Sequence, residues 1–310
     1  MALPSPRDFS YCIVSLSGGK DSAAALCYVL TAWPADRVLA HWQVVPEEWV
    51  TQSLRYNAEL CRSLGVRLIA EQIVYRAVPS RRATNPNVGT TFDHVRTIAT
   101  SADVLQDTPP YIGGVLDLAR RRGAPPTNVI RWCTEYHKER LLDQRLRQWI
   151  RGERVPGLAW VEPQVIGHYP VVVLGLRAGE SPSRASRPPV ALRWQHKRLG
   201  FTVTNWSPLC DWSRREVLRY LDQHGLALHP CYEWLGLTRA QWDAPEEGGP
   251  RCSCICCIYA QPEYWVRVAR RPEGRAVLQR VLDFEAATGK TWSQRFSVTN
   301  VLGRREIQEK

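Results

Sequence analysis

The sequence predicts an α/β fold, a parallel sheet with helices on both faces, and three observations carry that prediction. Residues 11 to 75 alternate apolar runs with helical spacing in the order strand, helix, strand, helix, strand. A glycine turn, Ser17-Gly18-Gly19-Lys20-Asp21-Ser22, falls between the first strand and the first helix. Later in the chain Val171-Val172-Val173-Leu174-Gly175-Leu176 reads as a buried central strand.

Taken in order, Tyr11 to Leu16 is the first strand and Ala23 to Leu30 lies in the first helix. Arg37 to Val45 is the second strand, ending near Pro46. Val50 to Leu64 is helical, with Leu54, Ala58 and Cys61 on one face and a stop at Gly65; Val66 to Val74 is the third strand. Arg76 to Pro110 is rich in Arg, Pro and Asn and reads as a long active-site loop with one short helix. Tyr111 to Arg122 is a helix stopped by Gly123 and Pro125-Pro126, and a polar helix runs from Glu135 to about Arg151. Phe201 to Asn205 is a short edge strand, and Ser213 to Gly225 is a helix with Glu216 at its capping-box position. Gln261 to Thr288 is helical and basic. The expected organisation is a nucleotide-binding domain over 1–260, including a cysteine-rich loop, followed by a basic helical C-terminal extension over 261–310.

Composition narrows the classes. The 310 residues are 44% hydrophobic and 23% charged, which supports a packed core rather than disorder. No apolar stretch reaches the length of a membrane span, and Met1 to Ser10 lacks a signal-peptide layout, so a cytoplasmic protein is expected. Lys plus Arg number 41 against 30 Asp plus Glu, a net charge of +11 that favours a polyanionic partner such as nucleic acid. The competing reading is solvated arginine on helix faces. Ten cysteines in a cytosolic chain argue against a disulfide framework.

Four constellations carry chemistry. The Ser17–Ser22 turn is an anion site. Gly18 and Gly19 let the backbone approach a phosphate, helix N–H groups point at it, and Ser17, Lys20 and Ser22 add donors. Its spacing is not that of a Walker A loop. Asp21 supports the loop or Mg²⁺. The second is Arg177-Ala178-Gly179-Glu180-Ser181 with Arg184, at the end of the apolar strand; the arginines suit phosphate or sulfate, and Glu180 holds one of them or helps bind Mg²⁺. The third is Arg131-Trp132-Cys133-Thr134 with Lys138. Cys133 beside Arg131 and a helix N-terminus is expected to have a lowered thiol pKa, as a nucleophile, persulfide carrier or metal ligand. The fourth is Cys252, Cys254, Cys256 and Cys257, with Cys231 and Cys210 upstream. Cys254-x-x-Cys257 can reach one metal or cluster, and Cys133 with one more cysteine would complete four thiolates, for iron–sulfur or for zinc. His137, His168, His224 and His229 show no metal spacing.

In this order these segments, with Ser207-Pro208-Leu209-Cys210-Asp211-Trp212-Ser213 and His229-Pro230-Cys231-Tyr232, resemble the phosphoadenosine phosphosulfate (PAPS) reductase family over about residues 10 to 265. That family belongs to the adenine-nucleotide α-hydrolase superfamily, with its Rossmann-like sheet. The layout is similar to the DNA-phosphorothioation sulfurtransferases in pairing the loop with a cysteine-held [4Fe–4S] cluster. PAPS reductases end in Glu-Cys-Gly-x-His, whereas Ser297 to Lys310 holds no Cys or His. The resemblance therefore implies an ATP pyrophosphatase that adenylates a substrate, nucleic acid (DNA before tRNA), for sulfur insertion. Ser17–Ser22 would cradle pyrophosphate, Arg177 and Arg184 a phosphate, and Cys133, Cys231, Cys254 and Cys257 the cluster, with Cys210, Cys252 and Cys256 as alternatives for the fourth ligand. ATP, Mg²⁺, a cysteine desulfurase or other sulfur donor, and a homodimer complete the expectation. The alternatives are a PAPS-type sulfonucleotide reductase and a nucleotide- or nucleic-acid-binding subunit with structural zinc.

Overall fold

The computed structural model describes residues 4–7, 9–78, 89–100, 114–151, 170–238, 251–252 and 254–306. The chain opens with β1 (Tyr11–Leu16), α1 (Lys20–Val29), β2 (Val38–Gln43), α2 (Val50–Ser63), β3 (Arg67–Val78) and β4 (Gly89–Thr100). It continues through α3 (Val115–Arg122), α4 (Trp132–Thr134), a π turn at Glu135–Glu139, α5 (Arg140–Ile150) and β5 (Pro170–Leu174). A 3-10 turn at Ala178–Glu180, α6 (Pro182–Ala185), β6 (Val190–His196), β7 (Phe201–Trp206), α7 (Arg214–Gln223) and α8 (Cys231–Trp234) follow. The last elements are α9 (Pro262–Ala269), α10 (Pro272–Thr288) and α11 (Val298–Glu306).

Alternation along β1 sets the layers. Cys12, Val14 and Leu16 enter one core with α1, α2 and α7, while Ile13 enters another with Leu142, Leu146 and Trp149 of α5. Helices therefore cover both faces, as expected. The sheet order is β4-β3-β2-β1-β5-β7-β6. The inner pairs β3–β2, β2–β1, β1–β5 and β5–β7 are parallel, and the outer pairs β3–β4 and β7–β6 are antiparallel. From β1 the chain builds outward through β2 and β3, then returns to add β5 on the other side of β1. That reversal makes a crevice at the carboxyl ends of β1 and β5, where α/β sheets bind ligands.

A third core lies beyond those strand ends. Val45, Trp49, Leu116, Trp132, Tyr232, Ile255 and Cys256 pack there with Trp265, Leu278 and Phe284 of the C-terminal helices and with Trp292 between α10 and α11. Residues after 261 thus share a core with the segments that carry the cysteines.

Three expectations change. Within Arg76–Pro110 the described residues are strand rather than loop: β3 runs to Val78 and pairs with β4 from Ile69↔Thr100 to Val78↔Gly89. Thr, Val and Ile are frequent in 89–100 and favour a strand; residues 79–88 and 101–113 lie outside the described residues. The edge strand at 201–206 is covered by β6, which pairs with it from Val190↔Trp206 to His196↔Phe201. The basic helix 261–288 is two helices, broken at Arg270–Arg271 because Pro272 cannot continue a helix but opens a new one.

Candidate nucleotide and cysteine site

The Ser17–Ser22 turn is shaped by its own hydroxyls. Ser22 Oγ donates to Gly19 O (2.9 Å), so it accepts from Ser17 N–H (3.2 Å) and from the Ser17 hydroxyl (3.1 Å). Ser17 Oγ in turn accepts the Gly19 N–H at 3.3 Å. The serines close the loop on itself. Gly18 sits at φ +73°, which side-chain-bearing residues rarely adopt. Lys20 N–H donates to the Tyr232 hydroxyl at 2.9 Å, tying the start of α1 to α8.

The end of β5 presses on this loop. A Cβ at Gly175 would lie 2.6 Å from Ser22 N, so only glycine allows that approach. Arg177 follows, its side chain 3% exposed, and donates from Nε to Asp21 at 2.5 Å. Lys20 Nζ donates to the other Asp21 oxygen at 2.6 Å. Burial pushes the Asp21 carboxyl up, yet Lys20 and Arg177 together hold it below its ordinary value. Glu180 accepts the Arg177 N–H at 3.1 Å and pairs with Arg184. Both carboxylates expected near Mg²⁺ are therefore committed to cations, and they do not fit a magnesium ion held directly by the protein. The crevice sets three cations, Lys20, Arg177 and Arg184, against those two carboxylates, an excess that suits an anionic ligand.

The cysteines divide into two groups. Cys133, Cys254 and Cys257 lie within reach of one another's charge, around Lys138 and Glu48. Lys138, in the π turn, donates to Glu48 at 3.0 Å, and the Cys254 thiol lies 3.5 Å from the same oxygen. Burial pulls Lys138 down, but Cys254 and Glu48 keep its ammonium above the usual lysine range. The expectation of an acidic Cys133 is corrected: burial raises its thiol, outweighing Thr134, Lys138 and Arg131. Arg131 lies over the Tyr259 ring and donates to Thr134 instead. Thiols are the donors that a metal cluster takes, and the half-buried Lys138 beside them would offset thiolate charge. Cys256 is packed in the third core, where its carbonyl accepts the Trp292 indole N–H at 2.7 Å.

Cys231 belongs to the second group, with Cys252 and His229; their ligand atoms all lie within 4.8 Å of one another. A hydrogen bond from Cys231, against burial and with help from His229, brings the Cys252 thiol below its ordinary value. Cys210 stands apart, its carbonyl accepting the Ala178 N–H at 2.7 Å.

Four participants were not read from the sequence. His229 lacks a conventional metal spacing, although His229-x-Cys231 was a legible pair. Glu48 and its neighbour Glu47 are buried, and Glu47 caps α3 by accepting Val115 and Leu116 N–H at 2.9 and 3.1 Å. Asn57, fully buried beside Gly18, likewise gave no signal in a helix that reads as amphipathic.

The phosphoadenosine phosphosulfate reductase domain family matches residues 129–235. The phosphoadenosine 5′-phosphosulfate reductase of Erwinia tasmaniensis is 41% identical over 59 residues, 19% of this chain and 21% of that protein. The enzyme of the same name from Yersinia enterocolitica is 43% identical over 60 residues, again 19% and 21%. The chain thus spans about a fifth of the length of the curated relatives it matches. A crystal structure of phosphoadenylyl-sulfate (PAPS) reductase from Candida auris, a phosphate complex, aligns with a TM-score of 0.39 and 10% identity over 74% of this chain and 79% of that one. Among the described residues no helix is long and apolar enough to cross a membrane. The stretch that is similar to the phosphoadenosine phosphosulfate reductase domain contains Cys133, Lys138, Arg177, Glu180, Arg184 and Cys231, residues that the fold gathers at and beside one crevice.

Proposed function

We propose that the protein binds an adenine sulfonucleotide at the Ser17–Ser22 loop and reduces its sulfate to sulfite. The observation that carries this reading is the family match over 129–235, whose Arg177 joins the loop through Asp21. That match, and relatives named as reductases, support reduction ahead of the ATP-dependent sulfur insertion that the sequence suggested first.

The chemistry follows from the charges. A phosphosulfate is an anion, and Lys20, Arg177 and Arg184 supply forked or point-charge donors for it. A partner dithiol supplies two electrons. One thiolate attacks sulfur, the S–O bond to phosphate breaks, and the nucleoside phosphate leaves; the second thiol then displaces sulfite and a disulfide forms. Lys20 and Arg177 stabilise the charge that grows on the leaving phosphate. Cys133, Cys254 and Cys257 would hold a cluster that supplies a redox-active neighbour to this site.

One observation favours a second reading. The loop retains Ser-Gly-Gly-Lys-Asp-Ser with Lys20 buried in it, a cradle suited to pyrophosphate leaving from ATP. In that reading nucleic acid is the sulfur acceptor, the basic helices after 261 contact it, and a desulfurase supplies sulfur to a chain that works as a homodimer.

Thermal unfolding with each nucleotide separates the two. The sulfonucleotide, at about 100 times its Kd, is expected to add about 2.7 kcal/mol and to exceed ATP at equal concentration, with the gain lost in Lys20→Ala. A larger shift with ATP would favour the second reading.

A further inference from the structure

His229, Cys231 and Cys252 have no part in the reaction above, yet they are built as a site. We propose that these three residues hold one thiophilic divalent ion of the zinc class, separate from the Cys133–Cys254–Cys257 group.

Two thiols and one imidazole are a donor set that zinc takes, and a three-residue set leaves its fourth position for water. Their ligand atoms lie within 4.8 Å of one another, with His229 and Cys231 buried and Cys252 half-buried. The histidine is already oriented. Cys231 N–H must donate, so Nδ1 of His229 accepts it at 3.0 Å. In the neutral ring Nε2 then carries the proton and donates to Ser53 Oγ at 3.1 Å. Holding one ring nitrogen on an outer partner is how proteins aim the other at a metal. Metal loading redirects the Nδ1 lone pair from Cys231 N–H to the ion and leaves the Ser53 contact in place.

The site abuts the phosphate loop. A Cβ at Gly18 would lie 3.3 Å from the His229 ring, and one at Gly19 would lie 3.9 Å from the Cys252 carbonyl. The inference concerns metal binding alone and stands whichever nucleotide the loop accepts.

Cobalt, whose thiolate charge-transfer band reports cysteine ligation, tests it on full-length protein purified without oxygen and stripped of metal. In Cys254→Ser, where the other group is disabled, one cobalt per chain with that band is expected. Adding Cys252→Ser, which leaves Cys231 as the one thiolate of the set, should at least halve the band and weaken binding beyond the ~10- to 100-fold that loss of an outer contact costs. Cys252 is half-buried, so this variant carries the test where serine at buried Cys231 risks the fold; circular dichroism checks that it remains folded. A Cys254→Ser protein that takes no cobalt overturns the inference. So does a double variant that binds with the band unchanged.

Discussion

Asp21 is held between two buried cations, and that arrangement governs what its removal should do. Asp21→Asn leaves Lys20 and Arg177 uncompensated, which costs about 3–5 kcal/mol for a buried pair. Urea unfolding of the metal-free protein should show that loss, and added pyrophosphate should restore part of it by replacing the missing anion. Gly175 gives a second residue-scale outcome. Gly175→Ala puts a methyl on the Ser22 backbone, costs about 1–3 kcal/mol by overpacking, and should weaken nucleotide binding, read by the same unfolding curves with and without ligand. The Gly18-Gly19 turn was legible in the sequence because glycine between a strand and a helix has few other uses. The Asp21–Arg177 link was not, since 156 positions separate the two residues and only the β1–β5 pairing brings them together. The thiol of Cys133 was misjudged for a related reason: its charged neighbours are visible in sequence, whereas its burial is a tertiary fact.

At the scale of elements, the capping box of α7 was read correctly. Ser213 Oγ accepts the Glu216 N–H at 3.2 Å, and Glu216 accepts the Ser213 N–H at 2.6 Å. Ser213→Ala should cost about 1 kcal/mol in thermal unfolding. The C-terminal helices are fastened by Glu285, which accepts Trp292, Val298 and Thr299 N–H at 2.7, 3.1 and 3.0 Å. Burial pushes the Glu285 carboxyl up, but these backbone donors and the Thr299 and Ser297 hydroxyls hold it below its ordinary value. Glu285→Gln should release α11 first, so hydrogen exchange of 298–303 should rise while β1 and β5 stay protected. The parallel strands were legible because buried strands read as continuous apolar runs. The antiparallel edges β4 and β6 were not, because their polar and arginine-bearing sequences read as loops.

Across the whole molecule, part of the basic charge is spent inside. Arg145 pairs with Glu71, Arg177 with Asp21, Arg193 with Asp143, and Arg280 with Asp117 and Glu47. These pairs remove acids along with arginines, so the net charge of +11 is left undiminished for the rest of the molecule to offer a polyanion. Burial also sets the acid response. It lowers the His137 pKa from 6.5 to about 3, so the unfolded chain takes up this proton before the folded one does. Stability from this group is complete above about pH 6.5 and is lost as pH falls toward 3, at up to about 1.4 kcal/mol per pH unit. Urea midpoints between pH 7 and 5 should fall accordingly, and His137→Gln should flatten that slope.

If the crevice between β1 and β5 reduces a sulfonucleotide, sulfite is the signature. Protein purified without oxygen would be given a ³⁵S-labelled adenine sulfonucleotide and a dithiol reductant, with labelled sulfite measured over time. Sulfite release that requires the reductant and disappears in Lys20→Ala is the predicted result. Intact sulfonucleotide, with pyrophosphate released from ATP under the same conditions, would contradict it.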